Sequence, residues 1–181
     1  MVFWTIPNEK ASKHWTVSDS DVFMLFWGAK IIRIMYTGLL HTHSLLRYFI
    51  LIALVVVILK ALLGLINKQP YGKLDNKLGL YLFIFTHMQL LAGLILYFVS
   101  PRVQFGATTM SDKITRYWTV EHVTGMLIAV VLITLARSTS KRMTDDLAKH
   151  KRMLVFNLLA LLVIAAAIIT GGMNLFAYPA Q

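Results

Sequence analysis

Apolar positions fall into four long runs, Leu45–Ile66, Leu78–Val99, Tyr117–Ala136 and Met153–Gly171, separated by short polar stretches. Each run is close to the roughly 20 residues that an α-helix needs to cross a bilayer. The stretches between them carry turn and helix-breaking chemistry: NKQPYGKLDNK, SPRVQFGATTMSDK and RSTSKRMTDDLAKHKR. None has room for a soluble domain. The pattern predicts an all-α membrane protein, a four-transmembrane-helix up-down bundle spanning residues 35–181.

Composition agrees: the 181 residues are 57% hydrophobic and only 14% charged, which makes the lipid bilayer the expected solvent and first partner. The formal charge of +10 does not argue for nucleic acid, because Lys and Arg collect in membrane loops for topological reasons. Their distribution is asymmetric. The first and third connections hold Lys68, Lys73, Lys77, Arg137, Lys141, Arg142, Lys149, Lys151 and Arg152, against Arg102, Lys113 and Arg116 in the second. The positive-inside rule therefore places the first and third connections in the cytoplasm and both termini on the exterior face of the membrane.

Residues 1–34 disturb this count, since Lys10, Lys13, Lys30 and Arg33 would add basic charge to the outer side. The segment lacks a secretory-signal layout: its charges are mixed, its apolar stretch is short, and no small-residue cleavage site follows. One expectation is that the chain starts naturally at Met35, which removes the conflict. The other is an interfacial helix over Val22–Ile34, with Phe23, Phe26, Trp27 and Ile31 at near-helical spacing.

The candidate chemistry lies in the histidines. The chain has no cysteine, which excludes covalent c-type haem, cysteine-ligated iron–sulfur clusters and redox dithiols. Polar residues inside a bilayer are costly and mark function by default. His87 is the deepest, about 13 Å from the inner end of the second helix at 1.5 Å per residue. Beside it runs the small-residue stripe Gly79, Thr86 and Gly93, which suits close helix packing or a flat ligand. His122 lies in the outer half of the third helix, about 21 Å above its inner end. It shares a face with Trp118, Gly125, Met126 and Ala129. Glu121, next to it, is expected to pair with Arg47, Arg116 or a histidine. His41 and His43 point about 200° apart on a helix, so only one faces the bundle. His43 is the inward choice, with Arg47 on the same face one turn on. A guanidinium there suits a carboxylate such as a haem propionate, or else snorkels to lipid phosphate. His14 and His150 fall in the polar segments and receive no role.

A b-type haem in a bundle wants two neutral imidazoles at similar depth on facing helices. His43 stands roughly 26 Å above Lys60, near the level of His122, whereas His87 sits roughly 7 to 8 Å lower. His43 with His122 is the better-matched pair, and His87 with His122 stays open. A metal ion held by all three histidines is harder to reconcile with their unequal depths.

The stretches LLHTHSLLRY, THMQLLAGLILYFVSP, RYWTVEHVTGMLIAVVL and AKHKRMLVFNLLALLVI resemble a group of small bacterial four-helix integral membrane proteins labelled cytochrome b-like. The resemblance runs from Met35 to about Ile169 and leaves the first 34 residues outside. It implies a haem b bound by two of His43, His87 and His122, with Arg47 and Glu121 beside them, and electron transfer with a quinol or a respiratory partner. No nicotinamide or flavin motif is present, so any electron donor must lie elsewhere. The competing expectation is a non-redox accessory subunit or small carrier whose histidines serve packing or protonation.

Overall fold

The computed structural model describes residues 19–172, and all regular structure among them is helical. His14 lies outside the described residues. The elements are α1 (Asp19–Ile66), α2 (Lys73–Val99), α3 (Lys113–Arg116), a π-helical turn (Tyr117–Glu121), α4 (His122–Ser140) and α5 (Asp146–Thr170). The stretch Val22–Ile34 is helical, as part of α1. The chain divides at Met35 into two units, Met1–Met35 and Tyr36–Gln181. Within the first, Lys30 Nζ lies 5.5 Å above the Trp27 ring and Ile31, Ile32 and Ile34 are exposed.

Four helices are long and apolar enough to cross a membrane, over Lys30–Ile66, Lys73–Val99, Lys113–Ser140 and Asp146–Thr170. The last three begin one to two turns before the apolar runs do, because polar residues in the connections start them. Asp112 and Asp145 cap α3 and α5 by accepting from Thr115 N and Ala148 N, each at 2.7 Å. Asp75, at the third position of α2, reaches back to accept from Gly72 N at 2.8 Å. At the other end of the first connection α1 stops in a Schellman motif. Gln69 N donates to Gly64 O and Lys68 N to Leu65 O, with Lys68 at φ 49° where glycine is usual and Pro70 next.

The helices form an all-α, up-down four-helix bundle. Its core is built from Leu54, Val57, Ile58 and Ala61 of α1, Leu82 of α2, Ala129, Ile133 and Ala136 of α4, and Met153, Ala160 and Ile164 of α5. Small residues let backbones approach: Gly125 faces Ala167 across α4 and α5, with ordinary contact for an added methyl at 3.5 Å. The outward surface is apolar too, including Ile52, Leu63, Leu91, Phe98 and Leu162, as expected of helices solvated by lipid rather than water.

Candidate functional site

Two histidines meet at the end of the bundle that carries the second connection. On α1, the His43 carbonyl accepts from Gln89 Nε2 of α2 at 2.9 Å, which fixes the level of the two helices. The His43 ring packs on the α2 backbone at Gly93, where an added Cβ would lie 3.0 Å from Cε1. Its Nδ1 is buried without a hydrogen-bond partner.

His122 comes from α4 by way of the π turn. The turn takes an extra residue into the helix, so that the His122 N–H reaches Tyr117 O, and π turns of this kind recur at functional sites. Tyr117 is thereby turned inward and buried. Its hydroxyl donates to Ala167 O at 3.0 Å and lies 3.4 Å from His122 Nδ1. With its one proton committed to the carbonyl, Tyr117 Oη is left as an acceptor for His122 Nδ1–H. That tautomer leaves the lone pair on Nε2, the arrangement that suits a ligating imidazole. Trp118 flanks the same ring, with centroids 5.4 Å apart.

Arg47 completes the group. Arg47 lies within electrostatic range of His43, His122 and Tyr117, and His122 within that range of His43. Its Nη2 donates to Tyr48 Oη at 3.1 Å, and its Nε is buried without a partner. The acid nearest in sequence is taken: Glu121 Oε1 accepts from Arg116 Nε at 2.7 Å. The site is thus two neighbouring imidazoles and a guanidinium, with no carboxylate paired to them among the described residues. It can take an anionic group or ligate through imidazole nitrogen.

The second connection folds over this end. Gln104 N donates to Thr119 Oγ1 at 3.2 Å, Tyr97 Oη to Thr119 O at 3.0 Å, and Thr109 Oγ1 to Gln104 O at 2.9 Å. Arg102 lies over the Trp118 ring at 5.4 Å. These bonds tie the second connection to Thr119, three residues before His122.

No family model, curated protein or solved structure matches this chain. The site is therefore read from its own residues.

His87 stands apart from the pair. It follows the buried Thr86 by one residue, about 100° round the helix. Its Nδ1 is bonded to Phe83 O of its own helix at 2.8 Å, and its ring rests on Phe83 with centroids 4.1 Å apart. No three of His, Cys, Asp and Glu converge among the described residues, so a three-histidine metal shell has no counterpart there. The Gly79–Thr86–Gly93 stripe lies on the packed face of α2, with Gly79 under Met153 and Arg137 and Gly93 under His43.

Two features escape sequence reasoning. Tyr117 is one, because a π turn leaves no local signal. The other is His150, which is not in a solvated segment: α5 starts at Asp146 and His150 is fully buried. The readable signal is its helical register with Met153, Asn157, Ala160, Ile164 and Ala167, all buried.

Proposed function

We propose that the chain is a b-type haem protein of the bacterial inner membrane, with His43 and His122 as axial ligands and Arg47 as the partner of a propionate. The observation that carries this reading is that His43 of α1 and His122 of α4 lie within electrostatic range of each other and of Arg47, whose guanidinium has no acid partner among the described residues. The donor set suits the group. Two neutral imidazole nitrogens are the ligands of a low-spin haem, the chain has no thiol, and a guanidinium binds a carboxylate in bidentate fashion. Bound there, haem supplies one-electron chemistry, with a quinol or a membrane redox partner as donor or acceptor.

The protein's own residues do the rest. Tyr117 orients His122, Gly93 gives His43 its room, and the second connection is tied to the helix turn that carries His122. By the positive-inside rule this end of the bundle faces the exterior, as do both termini.

The test is the spectrum of protein purified in detergent after expression with adequate haem. A sharp reduced α band is expected. His122→Ala should abolish it, His43→Ala should do so nearly as fully, and His87→Ala should leave it intact. A folded but colourless preparation removes the proposal. Loss of the band in His87→Ala with a silent His43→Ala reassigns the pair to His87 and His122. The non-redox reading rests on the close packing of the His43 ring on Gly93, which a structural imidazole would make equally well.

A further inference from the structure

At the opposite end of the bundle, between the first and third connections, a second polar group is enclosed. His150 of α5 has no exposed surface, and neither ring nitrogen has a hydrogen-bond partner. It packs on Gly64 of α1 and beside the Tyr71 ring, with centroids 5.0 Å apart. A buried imidazole with both nitrogens unpaired costs free energy unless something fills them.

A cavity of about 10 Å³ adjoins the ring, lined by Lys60, Tyr71, Asp75 and His150 together with Val57 and Leu78, among others. That is about the volume needed to seat one water, and a water needs two to four polar partners. They are present. Tyr71 Oη is buried and unpaired. Ser140 is close to it, but the Ser140 hydroxyl is turned to Arg137 O and Met153 Sδ. Burial and the Asp75 charge hold the Tyr71 phenol above its ordinary range, so it remains a protonated donor. Asp75 is itself buried; one oxygen accepts from Gly72 N and the other lies 3.8 Å from Lys60 Nζ. The Lys60 side chain is 32% exposed, so the cavity has one partly open side.

We propose that this chamber is a proton-binding site, in which one water links His150 to Tyr71 and Asp75 and delivers a proton from the adjacent aqueous phase onto the His150 ring. The step moves a proton and no electrons: an acid in solution loses H⁺, the imidazole becomes imidazolium, and the Asp75 carboxylate balances the charge. The groups that bear on it are Lys60 from α1, Tyr71 from the first connection, Asp75 from α2, Arg137 from α4, and Asp146 and Lys149 from α5. Asp146 and Lys149 largely cancel, being paired at 2.8 Å. Asp75 and Lys60, 3.8 Å apart, are the looser pair and line the cavity itself. The site is independent of haem.

The test is nitrogen NMR of the full chain in lipid nanodiscs with labelled histidine, the His150 ring being assigned through its own helix. A change from neutral to cationic ring is expected as the pH is lowered over the range in which the protein stays folded. Removing the counter-charge in Asp75→Asn disfavours the imidazolium, so the midpoint should fall by about one pH unit or more. Lys60→Met removes a competing cation and should raise the midpoint, which provides a second reading if Asp75→Asn folds poorly. A His150 ring that stays in one form across the range, or titrates at the same pH in wild type and both variants, makes the chamber a packing void and overturns the proposal.

Discussion

Adding one methyl group at Gly64 should destabilise the protein through a single contact. An ideal Cβ there would lie 2.6 Å from His150 Nε2 and no farther from two other ring atoms. Ordinary carbon contacts begin near about 3.5 Å, so ring or backbone must yield by roughly 1 Å. The ring has no exposed surface, with Tyr71 beside it and only a cavity of about 10 Å³ adjoining it. Overpacking of a closed site costs about 1–3 kcal/mol. For a chain of this size that corresponds to a fall in Tm of about 2 to 12 °C, at about 2–4 °C per kcal/mol. The assay is thermal unfolding in detergent, followed by circular dichroism, of wild type, Gly64→Ala, His150→Ala and the double variant. If the penalty is the clash, His150→Ala opens space for the methyl, and Gly64→Ala should cost less than half as much in that background. An equal fall in both backgrounds, or none in either, refutes the placement of His150 under α1.

Tyr117→Phe should lower stability by about 0.5–1.5 kcal/mol through the lost bond to Ala167 O. In haem-loaded protein it should also shift the midpoint potential, because His122 Nδ1 loses its acceptor; an unchanged Tm and potential would remove Tyr117 from the site. Asn157 is fully buried, with Oδ1 unpaired and Nδ2 donating only to Met153 O of its own helix. Asn157→Leu should therefore be neutral or stabilising in thermal unfolding, and a loss above about 1 kcal/mol would mean that Oδ1 has a partner in the membrane. A reporter fused after Gln181 should be active only in a form that requires export; cytoplasmic activity would reverse the orientation and put the His43–His122 end inside.

The sequence alone determines the helices, because a bilayer offers backbone groups no partner and forces about 20 apolar residues into one internally bonded element. It also determines depth along each helix, since rise per residue is constant. His43 level with Gln89 of α2, and its ring on Gly93, put it above His87 as counting from the helix ends suggests. What sequence leaves open is rotation about each helix axis. Apolar residues encircle these helices, so no amphipathic stripe says which side faces a neighbour. Only the packed bundle brings His43 and His122 within electrostatic range, bonds His87 to its own helix, and gives Glu121 to Arg116 rather than to Arg47 or a histidine. His150 shows the same limit from the other side. The neighbours AKHKR describe an aqueous loop, while the helix started by Asp145 carries the ring under Gly64, where tertiary contact and not local composition decides its solvent.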